Sequence, residues 1–390
     1  MNELWSVVAL WAGLGLLAAY VSARLKLSTP LVELVIGIAA QGLFLAYGAD
    51  GMPGISHPAI VMLASTGAVL LTFLAGAELD PGVLRTTWKE AALIGASSFL
   101  VPFVLCTAVA WYGLGWSRDA SLLVGVALSE TSVAIVYSWM LQSGNNSTLY
   151  GKTVLAACFL TDLGTVLALG LFFSPLDERT VLMAAVGALA LFMLPRLARR
   201  LSARLGEHAS EPETRFVILA LFGLGALALW AGSQAILPAY LIGIALAGSF
   251  GRDAALVRRL RTLTFGLLTP FYFIRAGAFV SIPALLSAPL IVFVLFAAKL
   301  LSKGAGVHPI TRWHWRHRHL ARQTTLLMST GLTFGSLCAL HGLSNGIIDQ
   351  MQYSWLLAAI IGSAIVPTLV TVLAARRARP APALESCCDN

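Results

Sequence analysis

Asp162 stands in the middle of the run Leu155-Ala-Ala-Cys-Phe-Leu-Thr-Asp-Leu-Gly-Thr-Val-Leu-Ala-Leu169, and the nearest charges along the chain are Lys152 and Asp177. A carboxylate in such low-dielectric surroundings is costly as a bare anion, and a bound proton or metal cation relieves it. The two ligands compete for one group, and either one neutralises it, which is the elementary chemistry of ion exchange. Thr161 and Thr165 place hydroxyl oxygens beside it. Hard cations favour oxygen ligands, by extension from calcium and magnesium sites. A structural ion pair is the alternative use of a mid-span aspartate.

A second acid, Glu130, lies within Val124-Gly-Val-Ala-Leu-Ser-Glu-Thr-Ser-Val-Ala-Ile-Val-Tyr137, flanked by Ser129, Thr131 and Ser132. It could act as a ligand, as a proton relay, or as counter-charge to Lys299 or Arg275, the two basic residues inside apolar runs. A cation in hydrocarbon needs a partner or water, so both are functional candidates, with snorkelling to the interface as the alternative. A third weak stretch reads Met328-Ser-Thr-Gly-Leu-Thr-Phe-Gly335, with Thr330, Gly331, Thr333 and Gly335 close together. Glycine costs a helix about 1 kcal/mol, and Ser and Thr compete for its backbone bonds. Two weak centres predict broken helices whose exposed ends bind ions near the midplane. Close helix packing would explain the glycines but not Glu130. Glu33, near the end of its apolar run, is expected at the membrane interface.

These groups need a membrane around them, and the composition supplies one. The 390 residues are 58% hydrophobic and 11% charged, with a mean hydropathy of +0.83; a soluble domain carries about 25% charged residues. Apolar runs recur near 4–23, 30–48, 57–77, 88–112, 120–141, 150–173, 180–198, 214–232, 235–250, 262–281, 284–303, 322–343 and 353–375. Most approach the roughly 20 residues that cross hydrocarbon as a helix, and they lack the alternation of barrel strands. The expectation is an all-α polytopic membrane protein of about 13 transmembrane helices.

The charges test that count. With thirteen crossings, all but Arg118, Arg179, Arg275 and Lys299 of the 26 Lys and Arg fall on one side. They run from Arg24 and Lys26, Arg85 and Lys89, and Lys152 to clusters at Arg196–Arg215, Arg252–Arg261, Lys303–Arg322 and Arg376–Arg379. That side is expected to be cytoplasmic, with the N-terminus outside and the C-terminus inside. The net charge of +8 therefore orients the chain in lipid and calls for no nucleic acid. Met1–Leu4 carries no Lys or Arg, so Trp5–Val21 reads as a retained span. Thirteen divides as two inverted six-helix repeats, 4–173 and 214–375, around a linker helix at 180–198. Together these form one transmembrane unit, 1–379, with a short tail at 380–390. The plan pairs the fifth span with the twelfth and the fourth with the eleventh.

The chain resembles the monovalent cation:proton antiporter superfamily, in the branch that includes Kef-type potassium and Nap-type sodium antiporters. The likeness rests on Leu71-Thr-Phe-Leu-Ala-Gly-Ala-Glu-Leu-Asp80, Ser129-Glu-Thr-Ser-Val-Ala, Thr161-Asp-Leu, Thr269-Pro-Phe-Tyr-Phe-Ile-Arg-Ala-Gly277, Thr330-Gly-Leu-Thr-Phe-Gly335 and Ser363-Ala-Ile-Val-Pro-Thr368. It implies a homodimer in the plasma membrane, in which a scaffold and a moving core make an elevator-type movement. Spans five and twelve would be the crossed broken helices. It further implies that Asp162 binds the transported Na⁺ or K⁺ in exchange for H⁺, with Lys299 facing it and Lys303 as the second choice. Many relatives carry two adjacent acids where this chain has Thr161 and Asp162, so the lone carboxylate implies electroneutral exchange. Kef-type relatives often carry a nucleotide-binding regulatory domain; about fifteen residues follow the last span here, and no such gating is expected.

Other constellations carry less. Cys106, Cys158 and Cys338 lie in apolar runs as packing residues, while Cys387 and Cys388 close the tail. His308, His314, His317 and His319 with Trp313 and Trp315 read as a basic interfacial loop, a pH sensor being the alternative. No His-Glu-x-x-His motif and no nucleophile with a matching histidine in the spans points to an enzyme, and no cofactor is called for. A sodium-coupled organic-anion symporter on a similar fold is the alternative transport reading.

Overall fold

The computed structural model describes residues 2–25, 27–48, 51–78, 81–145, 148–174, 177–205, 211–247, 254–315 and 318–377. Lys26, Asp80, Arg252, Arg316, His317, Arg379 and the tail 380–390 with Cys387 and Cys388 lie outside the described residues.

The described residues form helices and no strand. The first half comprises α1 (Asn2–Leu25), α2 (Thr29–Ala46), α3 (Pro58–Ala77), α4 (Pro81–Ala108), α5 (Arg118–Ser129), α6 (Val133–Gln142) and α7 (Leu149–Phe173). Between the halves runs α8 (Glu178–Leu205). The second half comprises α9 (Pro212–Trp230), α10 (Ile236–Ala247), α11 (Ala254–Leu263), α12 (Thr269–Ala278), α13 (Ile282–Ser287), α14 (Pro289–His314), α15 (Arg318–Met328), α16 (Thr333–Ser344) and α17 (Gln350–Arg377).

Among the described residues, eleven helices are long and apolar enough to cross a membrane, counting α5–α6 and α15–α16 as one each. The remaining two of the thirteen expected runs take shorter forms. One is α10, with 12 residues. The other is α11 and α12, joined through the π-helical turn Thr264–Leu268. Pro270, in the first turn of α12, brings no N–H to the ladder, and a widened turn accommodates the lost bond.

Contacts repeat between the halves. α2 packs on α12 as α3 packs on α10; α4 touches α5 and α7 as α14 touches α15 and α17. The matching reaches single residues. A Cβ on Gly37 would strike the Ile274 carbonyl, and one on Gly277 the Leu34 carbonyl. Likewise Gly76 abuts the Tyr240 carbonyl and Gly243 that of Phe73. In both pairs each glycine meets the carbonyl three residues before its partner glycine, so backbones approach where any side chain would hold them apart.

The contacts also sort the helices into two groups. One holds α4–α7 with α14–α17, and the other holds α1–α3 with α8–α12. The principal seam between them is α7 against α10, while α13 packs on α17 and α14. Leu182, Leu189, Phe192, Leu219 and Leu229 are exposed on α8 and α9, as apolar side chains facing lipid should be.

Two expected positions are corrected. Glu33 is 1% exposed within α2, packed inside the protein rather than on its surface; α2 begins at Thr29, and the face carrying Glu33 also carries the Gly37 notch. Arg275 occupies the last turn of α12, nearer its helix end than the run 262–281 implied, and is only partly buried.

Candidate functional site

Helix breaks occur where the weak stretches predict them. α5 ends at Ser129, and Glu130 turns extended (φ −64°, ψ 160°) before α6 begins at Val133. α15 ends at Met328, and Leu332 (φ −155°, ψ −59°) leads into α16. The two breaks are bonded to each other. The Ser132 N–H donates to the Thr330 carbonyl at 3.0 Å, and the Thr131 hydroxyl donates to the Met328 carbonyl at 3.0 Å. Two carbonyl-bearing C-termini and two N–H-bearing N-termini therefore meet inside the protein, each with partial charge to be compensated.

The charged side chains are placed accordingly. Lys303 Nζ donates to the Ser129 carbonyl at 2.6 Å, to Ser98 Oγ at 2.8 Å and to Thr131 Oγ1 at 2.9 Å. Lys299 Nζ reaches the Glu130 carbonyl at 3.4 Å. Both ammonium groups thus sit at the negative end of α5. The Glu130 carboxylate lies toward the positive end of α16: a Cβ on Gly331 would fall 2.8 Å from its Oε1, and one on Gly335 3.1 Å away. A side chain at Gly331 would also collide with Lys299 Nζ. The backbone N–H groups of Leu332 and Gly335 face the Glu130 carboxylate, and no side chain donates to it. Among the described residues, the ion pairs within 4.0 Å are Arg259–Glu211 and Arg261–Glu78. Neither buried lysine is locked to a carboxylate.

Asp162 lies on α7 at the inner end of a cavity of about 650 Å³ and is 2% exposed. Thr131, Phe159, Thr333 and Phe334 line the same end. The rim carries the exposed side chains of Glu78, Ser138, Lys152 and Arg261, with Arg261 donating to Glu78 Oε1 at 2.6 and 3.2 Å. Asp162 Oδ1 has no hydrogen-bond partner. Its charged neighbours are Glu130 and Lys303. The arrangement offers a cation one carboxylate, nearby hydroxyl and carbonyl oxygens, and a route from the surface.

Lys303 rather than Lys299 is the lysine beside Asp162. The eleventh span was read as 284–303, which put Lys303 at its end; α14 instead starts at Pro289 and runs to His314, so both lysines flank its middle. Arg275 stays out of the site, its Nε donating to the Ile55 carbonyl at 2.9 Å and its guanidinium stacking over Phe279. Thr161 turns its hydroxyl back to the Cys158 carbonyl at 2.6 Å, and Thr165 bonds the Thr161 carbonyl at 3.0 Å. Ser129 likewise bonds back within α5, to the Val126 carbonyl, and Thr330, in the break, donates to the Leu327 carbonyl of α15. Ser132 Oγ is buried without a partner, and the Gly331 carbonyl accepts from Ser363 Oγ at 3.4 Å.

Sequence reasoning missed Ser98 and Tyr240. Ser98 had no signal of its own, although Lys299 and Lys303, four residues apart, share a helix face and call for acceptors there. Tyr240, an aromatic with one polar tip in an apolar run, gave none.

The family description "Sodium/hydrogen exchanger, transmembrane" matches residues 10–376. The chain belongs to the sodium/hydrogen exchanger family. It is therefore a multi-pass membrane protein of a cation:proton antiporter family, a family of transporters. It is 27% identical to the glutathione-regulated potassium-efflux system protein KefC of Shigella flexneri and to that of Escherichia fergusonii, over 93% of this chain and 59% of each relative. The chain thus spans about 59% of the length of these curated relatives. Its fold is similar to that of the sodium proton antiporter MjNhaP1 from Methanocaldococcus jannaschii. The structure at pH 8 aligns with TM-score 0.67 at 14% identity over 96% of this chain and 97% of that one. A second, from an electron-microscopy map, aligns with TM-score 0.70 at 13% identity over 98% and 100%.

Proposed function

We propose that the chain exchanges Na⁺ or K⁺ for H⁺ by alternate binding of the two ligands to Asp162. The observation that carries this reading is the placement of Asp162: a buried carboxylate with an oxygen unclaimed by the protein, at the end of a cavity with a polar rim. A cation entering there displaces the proton, and a returning proton displaces the cation. Thr131, Thr333 and the carbonyls of the crossed breaks supply oxygen ligands nearby. Lys303, tied to three oxygens, stays fixed at the crossing as the site fills and empties. One titrating carboxylate per cation makes the exchange electroneutral. Glu130 serves the helix ends rather than the cation.

The two helix groups supply the moving parts. We take α4–α7 with α14–α17 as a core that carries the site, sliding as an elevator against the other group. Lys152 and Arg261 at the rim belong to the basic side, so the cavity opens to the cytoplasm, with the N-terminus outside and the C-terminus inside. The halves 4–173 and 214–375 act as inverted repeats about the linker, and the protein works as a homodimer in the plasma membrane. Names of relatives point both to potassium and to sodium, so both cations are carried forward as substrates. The organic-anion symporter is not favoured: an anion needs a cation available to meet it, and Lys303 is already engaged.

Proteoliposomes holding a pH gradient test this directly. Addition of Na⁺ or K⁺ is expected to dissipate the gradient, without response to membrane potential. Folded protein that answers to Na⁺, K⁺ and Li⁺ with no proton movement would overturn the reading.

A further inference from the structure

A site reached from one side must be closed on the other by something that can yield. Tyr240, on α10, is 0% exposed. Its hydroxyl donates to the Phe159 carbonyl on α7 at 2.9 Å. Its ring stands edge-on to Phe334 of α16, with centroids 5.8 Å apart and planes at 90°. Phe159 and Phe334 both line the cavity that ends on Asp162, and Tyr240 does not. The tyrosine thus backs on two residues of the cavity wall without lining the cavity itself.

Tyr240 also spans the seam between the two helix groups. Its own backbone carbonyl is wedged against Gly76 of α3, which anchors it firmly in the α1–α3, α8–α12 group. Its side chain holds on to α7 and α16 of the other group. Phe159 lies inside α7, where its carbonyl already serves the helix ladder, so the tyrosine bond is a second one on that oxygen. Breaking it leaves no orphaned carbonyl on α7. Such a bond can be made and lost repeatedly. Farther along the same seam the packing is apolar, with Leu237 of α10 lying against Gly170 of α7. Ser174 and Ser233 close its end with a hydroxyl–hydroxyl bond at 2.8 Å.

We propose that Tyr240 is both the barrier on the far side of Asp162 and the latch that holds α7 in the state whose cavity opens at Lys152 and Arg261. The ring blocks passage, and the hydroxyl favours this state over the one open on the opposite side. In such a two-state element a lost contact shifts the populations. The role rests on the alternating exchange proposed above; Tyr240 positions the machinery and does not touch the transported ion.

The test uses the full chain in proteoliposomes, with Cys387 and Cys388 replaced by Ser and a reporter, Ala134→Cys, in the wall of the cavity, where Ala134 is exposed. A charged, membrane-impermeant thiol reagent is added on the cavity side. Tyr240→Phe is expected to slow labelling by about threefold or more and to raise the cation KM on that side relative to kcat. Tyr240→Ala is expected to pass protons down their gradient without a counter-ion. Tyr240→Phe that labels at the same rate, with KM and kcat unchanged, would overturn the proposal. Labelling needs no transport, so it decides the latch even in a protein that fails to exchange ions.

Discussion

Lys303 Nζ lies 2.6 Å from the carbonyl oxygen of Ser129, the last residue of α5. A lysine donor thus rests on the negative end of an interrupted helix, inside the protein, where a hydrogen bond is electrostatically stronger than at a surface. The crossing holds together through this contact as much as through its own backbone bonds.

Lys303→Met removes three hydrogen bonds and leaves the Ser129 carbonyl bare, at about 1–3 kcal/mol for the buried acceptor. The melting temperature in detergent should fall by several degrees and exchange should be lost. Lys299→Met breaks one long contact and should cost clearly less stability. Equal losses from the two would contradict the assignment of Lys303 as the principal charge at the crossing.

Asp162→Asn keeps the shape and removes the group for which protons and cations compete. Exchange with Na⁺, K⁺ and Li⁺ should vanish while folding is retained. Thr161→Val should reduce the rate by less than about threefold, because that hydroxyl faces its own helix and each tenfold corresponds to about 1.4 kcal/mol. A large loss in Thr161→Val would put this hydroxyl among the cation's ligands.

Gly331→Ala places a methyl group where Lys299 Nζ and Glu130 Oε1 now stand. Both charges must shift, and transport should drop by more than tenfold. Gly335→Ala meets the Ala127 carbonyl at 3.0 Å and Glu130 Oε1 at 3.1 Å, a tighter fit without collision, and should be milder. Reversal of this order, read in initial rates, would show that the carboxylate points elsewhere.

Competition at one carboxylate has a defined pH signature. Lowering the pH protonates Asp162, so the apparent KM for the cation should rise as pH falls, by about tenfold per unit on the acid limb, with kcat nearly unchanged. A slope near two would mean that Glu130 also releases its proton on cation binding. Flux measured in both directions across a pH series distinguishes the two.

Most of the architecture is legible in the sequence because hydrocarbon imposes length and polarity on each crossing. The breaks were legible too, since Ser129–Ser132 and Ser329–Thr333 are poor helix by local chemistry. What escaped depends on where a helix starts along the membrane normal. Composition cannot place Pro289 against Ala284 as the first residue of α14, and that shift alone moves Lys303 from the rim to the centre. Arg275 was misplaced for a related reason: α12 ends at Ala278, which lets a long side chain reach the Ile55 carbonyl. Glu33 was read by its distance from a run's end, but its burial is decided by neighbouring helices.

The two reciprocal glycine notches interlock one half of the chain with the other: Gly37 in α2 finds its counterpart in α12, and Gly76 in α3 finds its counterpart in α10. Neither half therefore owns a finished surface. A gene cut within the linker should yield two polypeptides that are each unstable when made separately and that recover a working transporter when synthesised together. The same mutual dependence is what an ancestor made of two copies inserted in opposite directions would have required before fusion.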